Sequence, residues 1–225
     1  MLKIEKTVLP SPEQWEMVIE GMRNPMNSWD KTDSGIITEY DEGGWDADFF
    51  RIGENDHKLM MQLAKAGTEH SKYRRMIPVW VTIDAPLYWW KEADTYTVGK
   101  VQNSCSTMHK IHSKEFTLDD FSHEHLTEPE DDAIVSMEML RMIVGNLNYW
   151  REVYLETKDK DVWWQMIQML PTSYNQKRTV FLNYEVLAKM YRERKNHKLD
   201  EWHTLCDWIK TLPYSELITM ETDNE

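Results

Sequence analysis

The chain reads as an α+β fold, a helix-rich single domain spanning residues 1–225 with a small mixed or antiparallel sheet. Three observations predict it. Capping residues precede stretches with apolar positions at helical spacing, branched alternating stretches such as Ile77–Ile83 interrupt them, and no internal repeat or low-complexity linker divides the 225 residues. Hydrophobic residues make up 41% of the chain, enough to fill one core.

Ser11-Pro12-Glu13-Gln14 carries a capping hydroxyl, a proline at the first helical position and Gln14 three residues on, so a helix starts there with Trp15, Val18 and Met22 on one face. From Arg23 to Gly44 the composition is that of a loop, with a short strand expected at Gly35–Thr38 and another extended piece at Phe49–Ile52. A helix over Asp56–Ala66 presents Leu59, Met60, Leu63 and Ala66 and is closed by Gly67. Ile77–Ile83 alternates as a strand, after which Asp84-Ala85-Pro86 opens a helix through Tyr88, Trp89 and Trp90. Thr97–Lys110 is polar with few apolar anchors, the character of a loop crossing a ligand site. Thr127-Glu128-Pro129-Glu130 is a second capping box, and it introduces the longest helix, through Leu140, Ile143, Val144, Leu147, Trp150 and Tyr154. Asp161–Leu170 is a helix ended by Pro171, Arg178–Leu182 a strand, and Asn183 the cap of a helix ending in Arg194. A last helix carries Leu199, Trp202, Leu205, Cys206 and Ile209 on one stripe and stops at Leu212-Pro213.

Composition narrows the function classes. A formal net charge of -13 disfavours non-specific DNA binding, yet leaves room for one phosphorylated metabolite held by two or three local cations. No apolar run approaches a membrane span and no signal peptide is read at Met1, so a cytoplasmic location is expected. The two cysteines, Cys105 and Cys206, suit a reducing compartment. Eleven Trp and ten Tyr residues fit thick helix packing and subunit contacts, or planar ligand surfaces.

Phosphate-cradling glycine loops, Gly-x-Ser-x-Gly, His-Glu-x-x-His and Cys-x-x-Cys are all missing from the sequence. His109 with His112, and His123 with His125, suit either a metal chelate or an exposed loop, and no carboxylate or cysteine completes them at familiar spacing. Asn103-Ser104-Cys105-Ser106-Thr107 is a dense run of amide and hydroxyl groups able to meet a base edge or phosphate oxygens. The patch Arg192-Glu193-Arg194-Lys195-Asn196-His197-Lys198 either complements a helix C-terminus or grips a phosphate.

The order of these segments over residues 56–212 resembles the flavin-dependent thymidylate synthases. That family has a strand, a helix containing Ser-Arg, and then the signature Arg-His-Arg-x-x-Ser-x-Asn-x-x-Ser-x-Arg. With Ile83-Asp84-Ala85 laid on the family's Ile-Glu-Gly, Asn103 falls on the signature Asn and Ser106 on its second Ser. Met169-Leu170-Pro171 and the strand after it resemble the family's Leu-Pro segment and strand, and His197 and Glu201 its His-Ala-Gln-x-Glu stretch. In the same alignment Tyr96-Thr97-Val98 stands at Arg-His-Arg, Val101 at the first Ser, Met108 at the final Arg and Tyr88 at the Arg of Ser-Arg. A neutral side chain at these places supplies no charge-assisted bond to phosphate. The resemblance implies the family's fold, a homotetramer with active sites built across subunits, FAD as cofactor, deoxyuridine monophosphate as substrate, a folate methylene donor and NADPH. It places Asn103, Ser106, Tyr96 and Trp90 toward the cofactor, and Arg192, Arg194 and Tyr88 toward a pyrimidine nucleotide or other planar phosphorylated molecule. The Tyr88, Trp90 and Tyr96 rings either stack on a base or flavin or fill space left by lost arginines. A non-catalytic homologue that binds only a nucleotide, or a partner protein, is the alternative.

Overall fold

A computed structural model describes residues 1–40, 46–128 and 135–220. Its helices are α1 (Pro12–Arg23), α2 (Glu54–Lys65), α3 (Leu87–Ala93), α4 (Ser136–Thr157), α5 (Lys160–Met169), α6 (Tyr184–Arg194), α7 (Asp200–Lys210) and α8 (Glu216–Thr219). Strands β1 (Lys3–Val8), β4 (Pro78–Pro86), β6 (Asn175–Asn183) and β5 (Val101–Ser104) form a four-stranded sheet in the order β1-β4-β6-β5. Strands β2 (Gly35–Tyr40) and β3 (Asp46–Arg51) make a separate antiparallel pair, with Ile36 opposite Phe50 and Thr38 opposite Asp48. The architecture is the helix-rich α+β arrangement expected, with a small sheet. Among the described residues no helix is long and apolar enough to cross a membrane.

Contacts divide the chain into two compact units. The first holds Met1–Glu5, Ile83–Thr95 and Asn103–Thr179; the second holds Lys6–Thr82, Tyr96–Gln102 and Val180–Glu225. Four of the five unit boundaries fall within β1, β4, β5 and β6, and the fifth lies after α3, between Thr95 and Tyr96.

The first unit is built on α4 and α5. Met137, Leu140 and Leu147 of α4 meet Met166 of α5 in a core closed by Ile111, Phe116, Phe121 and Tyr174. Asn148 clamps the incoming loop to α4: its Oδ1 accepts from Phe116 N–H at 2.8 Å and its Nδ2 donates to Phe116 C=O at 2.8 Å. α5 is capped by Asp159, whose carboxylate accepts from Asp161 N–H at 2.8 Å.

In the second unit, α1 has the expected capping box. Ser11 Oγ accepts from Gln14 N–H at 3.3 Å, while Gln14 Oε1 accepts from Ser11 N–H at 2.9 Å. Trp15, Val18 and Met22 are buried as their spacing requires, and the Trp15 ring meets Tyr184 and Tyr214 edge-on. α6 is capped by Asn183, which accepts from Val186 N–H at 3.0 Å. The stripe Trp202, Leu205, Cys206 and Ile209 of α7 is buried.

Four expectations are corrected. Asp84 and Ala85 belong to β4 and do not cap α3; Pro86, the last residue of β4, is the N-cap of α3, which takes its first backbone bonds from a neighbouring loop, Leu87 N–H to Tyr174 C=O and Tyr88 N–H to Thr172 C=O, each 3.0 Å. Thr97–Lys110 is not loop throughout but contains β5. The long helix begins at Ser136 without a side-chain cap, and Pro129 and Glu130 of the expected capping box lie outside the described residues. On α2 the buried positions are Asp56, Met60 and Ala64, and Ala66 is exposed. Gly67 does terminate that helix, in the left-handed region at φ 98°.

Asp56 is fully buried and holds the α1–α2 region together. Arg23 Nε donates to it at 2.6 Å, the Thr32 and Ser34 hydroxyls each donate at 2.7 Å, and the Asp33 and Ser34 N–H groups donate at 3.1 Å. Asp33 in turn caps α2 from twenty-odd residues upstream, accepting from Asn55 and Asp56 N–H at 2.8 and 3.0 Å. Its approach demands Gly53, where an added Cβ would sit 2.2 Å from Asp33 Cγ. Burial pushes the Asp56 carboxyl up, but the bonds from Ser34, Thr32, the Asp33 amide and Arg23 outweigh it and hold the group below the usual carboxylate range. Its stabilising effect is therefore full above the ordinary Asp value and disappears as pH falls through the lowered one. Asp56→Asn, which leaves Arg23 buried without its counter-charge, is expected to lower the unfolding free energy by about 3 kcal/mol in urea titration at neutral pH.

Candidate functional site

In the first unit the nominated residues lie on α3, on β5 and just after it. Trp90 is 2% exposed, its indole N–H donates to Gln176 C=O at 2.7 Å, and the Arg178 guanidinium lies 4.2 Å from its ring centroid. Arg178 is itself held by both Asp94 carboxylate oxygens, at 2.8 and 3.1 Å, and by Gln176 Oε1 at 2.9 Å. Gln176 continues the chain of bonds to Cys105 C=O at 3.1 Å, and Cys105 N–H to Lys177 C=O at 2.9 Å ties the end of β5 to β6. Asn103 and Ser106 are exposed, with Ser106 Oγ accepting from His109 N–H at 3.0 Å. Tyr88 is half-buried.

Arg178, Asp94 and Gln176 were not singled out from sequence. The signal was there in the period of β6: Gln176, Val180 and Leu182 are its buried alternate positions, and Arg178 falls in register with them. A cation at an inward position needs partners, and Asp94 with the Trp90 face supplies them.

In the second unit the basic end of α6 is organised by Tyr96, which is 5% exposed. Its hydroxyl donates to Glu193 Oε2 at 2.8 Å and accepts from Arg194 Nε at 3.0 Å. The Arg194 guanidinium lies 4.9 Å from the Trp202 ring centroid and 5.7 Å from that of Tyr96, and these two rings meet edge-on at 6.0 Å. Burial first, and then the Glu193 carboxylate, push the Tyr96 phenol up to about 12, so it is a neutral hydrogen-bonding group at physiological pH. Arg192 is exposed and Glu201 buried. Beside this end, α6 and α7 border an open pocket of about 660 Å³ lined by Tyr191, Lys195, His197, His203 and Lys210, with Asp207 paired to Lys210 at 2.9 Å.

One histidine of each pair is engaged elsewhere. His112 meets the Tyr154 ring edge-on at 4.8 Å, and a His123 ring nitrogen lies 2.8 Å from Phe121 C=O. Cys105 is an exposed thiol and Cys206 a buried one, and neither is bridged; burial pushes the Cys206 thiol up to about 11.

Removing the hydroxyl that joins Glu193 to Arg194 tests this arrangement. Tyr96→Phe is expected to lower stability by about 1–2 kcal/mol in urea titration. Because the folded phenol titrates above its unfolded counterpart, the difference holds up to about pH 10 and shrinks as pH rises toward the folded value.

No protein-family model and no curated protein sequence matches the chain. Solved structures do. Two structures of flavin-dependent thymidylate synthase ThyX from Helicobacter pylori, both with FAD and dUMP, align over 98% of this chain and 97% of theirs, at 14% identity and a TM-score of 0.62. PolB, a UMP/dUMP methylase from Streptomyces cacaoi bound with 5-Br dUMP, aligns over 97% of this chain and 94% of its own, at 14% identity and a TM-score of 0.56. The likeness is one of fold, and the resemblance drawn from the order of segments holds at that level.

Proposed function

We propose that the chain binds a pyrimidine deoxynucleotide, as a divergent protein of the flavin-dependent thymidylate synthase type. The observation that carries this reading is the fold: three solved structures sharing it across nearly the whole chain hold dUMP or its 5-bromo derivative. Arg192 and Arg194, on the last turn of α6, are the proposed phosphate contacts, since planar guanidinium groups suit the bidentate geometry of a phosphate.

FAD is the second reading, favoured by its presence in the two Helicobacter pylori structures. The residues nominated for it fit unequally. Asn103 and Ser106 are exposed and offer amide and hydroxyl groups to a cofactor. Trp90 and Tyr96 are 2% and 5% exposed with their polar atoms engaged, so neither presents a ring face for a flavin to stack on. Holding FAD would fall to Asn103, Ser106 and side chains other than those two rings. When bound, a flavin supplies hydride and one-carbon chemistry that no protein side chain provides.

Self-association into a homotetramer is part of the same proposal. The apolar residues Met139, Met142 and Tyr149 are 47%, 56% and 57% exposed along α4, and Gly145 between them leaves open space. A bare apolar stripe of this kind suits a subunit contact. Light scattering of the purified protein is expected to give a tetramer and of Met142→Glu a smaller species; a monomeric wild-type protein rejects the assignment.

Calorimetry with deoxyuridine monophosphate tests the nucleotide reading. Saturable binding is expected, weakened about tenfold or more by Arg192→Ala or Arg194→Ala, the equivalent of one charge-assisted contact. Unchanged affinity in both variants would remove the phosphate assignment. A flavin absorption band in the purified protein, or uptake of added FAD, supports the second reading, and a colourless protein that takes up none sinks it.

A further inference from the structure

The second unit contains a cavity of about 500 Å³ that the nucleotide reading does not use, between α1, the loop after it and β3. Its chemistry is one-sided. Glu16 and Glu20, four apart on α1, face it together from exposed positions. Arg23 also borders it, but that guanidinium is neutralised by Asp56 at 2.6 Å and bonded further to Ser28 and to Lys31 C=O. Among the described residues no ion pair neutralises Glu16 or Glu20, so the lining carries two carboxylates facing one space.

The remaining walls point the same way. Thr32 and Ser34 both spend their hydroxyl protons on Asp56 Oδ2, at 2.7 Å each, and Ser34 Oγ already accepts from Gly53 N–H at 2.9 Å, so Thr32 is the hydroxyl left to accept toward the cavity. Trp29 is 48% exposed, with its ring fixed by an indole N–H bond to Asn24 Oδ1 at 2.8 Å. Phe50 completes the aromatic lining and is braced from behind by stacking on Trp15, 6.4 Å between centroids and 6° between planes. Aromatic faces and carboxylates attract the same kind of guest, and hydroxyls without a spare proton demand a donor. Among the described residues no group of three or more His, Cys, Asp and Glu is placed to hold a metal ion, which separates this lining from a cation cage for a bare metal.

We infer that this cavity is a binding site for a small organic cation, an ammonium or guanidinium group on an apolar or aromatic body. The charged head lies against Glu16 and Glu20 and donates to Thr32, and the body rests on Trp29 and Phe50. The volume is that of a small-molecule pocket.

Calorimetry of the full chain with benzylamine, against benzyl alcohol as its uncharged counterpart, tests the inference. Benzylamine is expected to bind at one site, at least about tenfold more tightly than benzyl alcohol, and more weakly as sodium chloride is raised. The double variant Glu16→Gln/Glu20→Gln is expected to weaken it by about tenfold or more, and Trp29→Ala by about threefold or more. These three side chains are exposed, so circular dichroism should show each variant folded. Equal binding of benzyl alcohol, no saturable heat for benzylamine up to about 10 mM, or full affinity in the folded double variant would overturn the inference. Loss of deoxyuridine monophosphate binding would leave it untouched.

Discussion

A guanidinium group withdrawn from water must be met by acceptors or by aromatic faces, and in this chain that requirement organises the structure. Arg23 is closed in by Asp56, Ser28 and Lys31; Arg74 by Glu185 at 2.7 Å and Leu217 C=O at 3.1 Å; Arg178 by Asp94, Gln176 and the Trp90 ring; Arg194 by Tyr96 and Trp202. Each joins segments distant in sequence. Arg23 ties the end of α1 to the loop before β2 and to α2, and Arg178 ties the end of α3 to β6. A chain of net charge -13 thus places several of its arginines on architecture.

That use of arginine bears on function. Where the resemblance places the signature's leading arginine, this chain has Tyr96, and the cation comes instead from α6, as Arg194 donating to the Tyr96 hydroxyl. The positions taken by Val98 and Met108 supply no charge at all. A phosphate held on this fold would be met by a different set of cations from the family's own, and the proposed set is Arg192 and Arg194.

Much of the fold was legible because its signals were local. Ser11 through Gln14 contain every atom of the α1 capping box, Asn183 sits three residues from the amide it caps, and the α7 stripe needs only helical spacing. What escaped was set at long range. β1 carries charges at Lys3, Glu5 and Lys6 and gains its strand character from pairing in the sheet. β5 is four largely exposed residues with the same dependence. The cap of α2 is Asp33, beyond the reach of any window that looks only at neighbours. Asn103 and Ser106 in the first unit and Arg192 in the second are exposed, whereas burial of the Trp90 and Tyr96 rings follows from Arg178 and Arg194, residues far away in sequence.

The account stands on the basic end of α6 as a phosphate contact, and amide chemical-shift mapping of the isotope-labelled protein tests it most directly. Titration with deoxyuridine monophosphate should move the amides of residues 192–195 in a saturable manner, and unphosphorylated deoxyuridine should leave them in place. Shifts confined to other segments, or the same shifts with deoxyuridine, would contradict it.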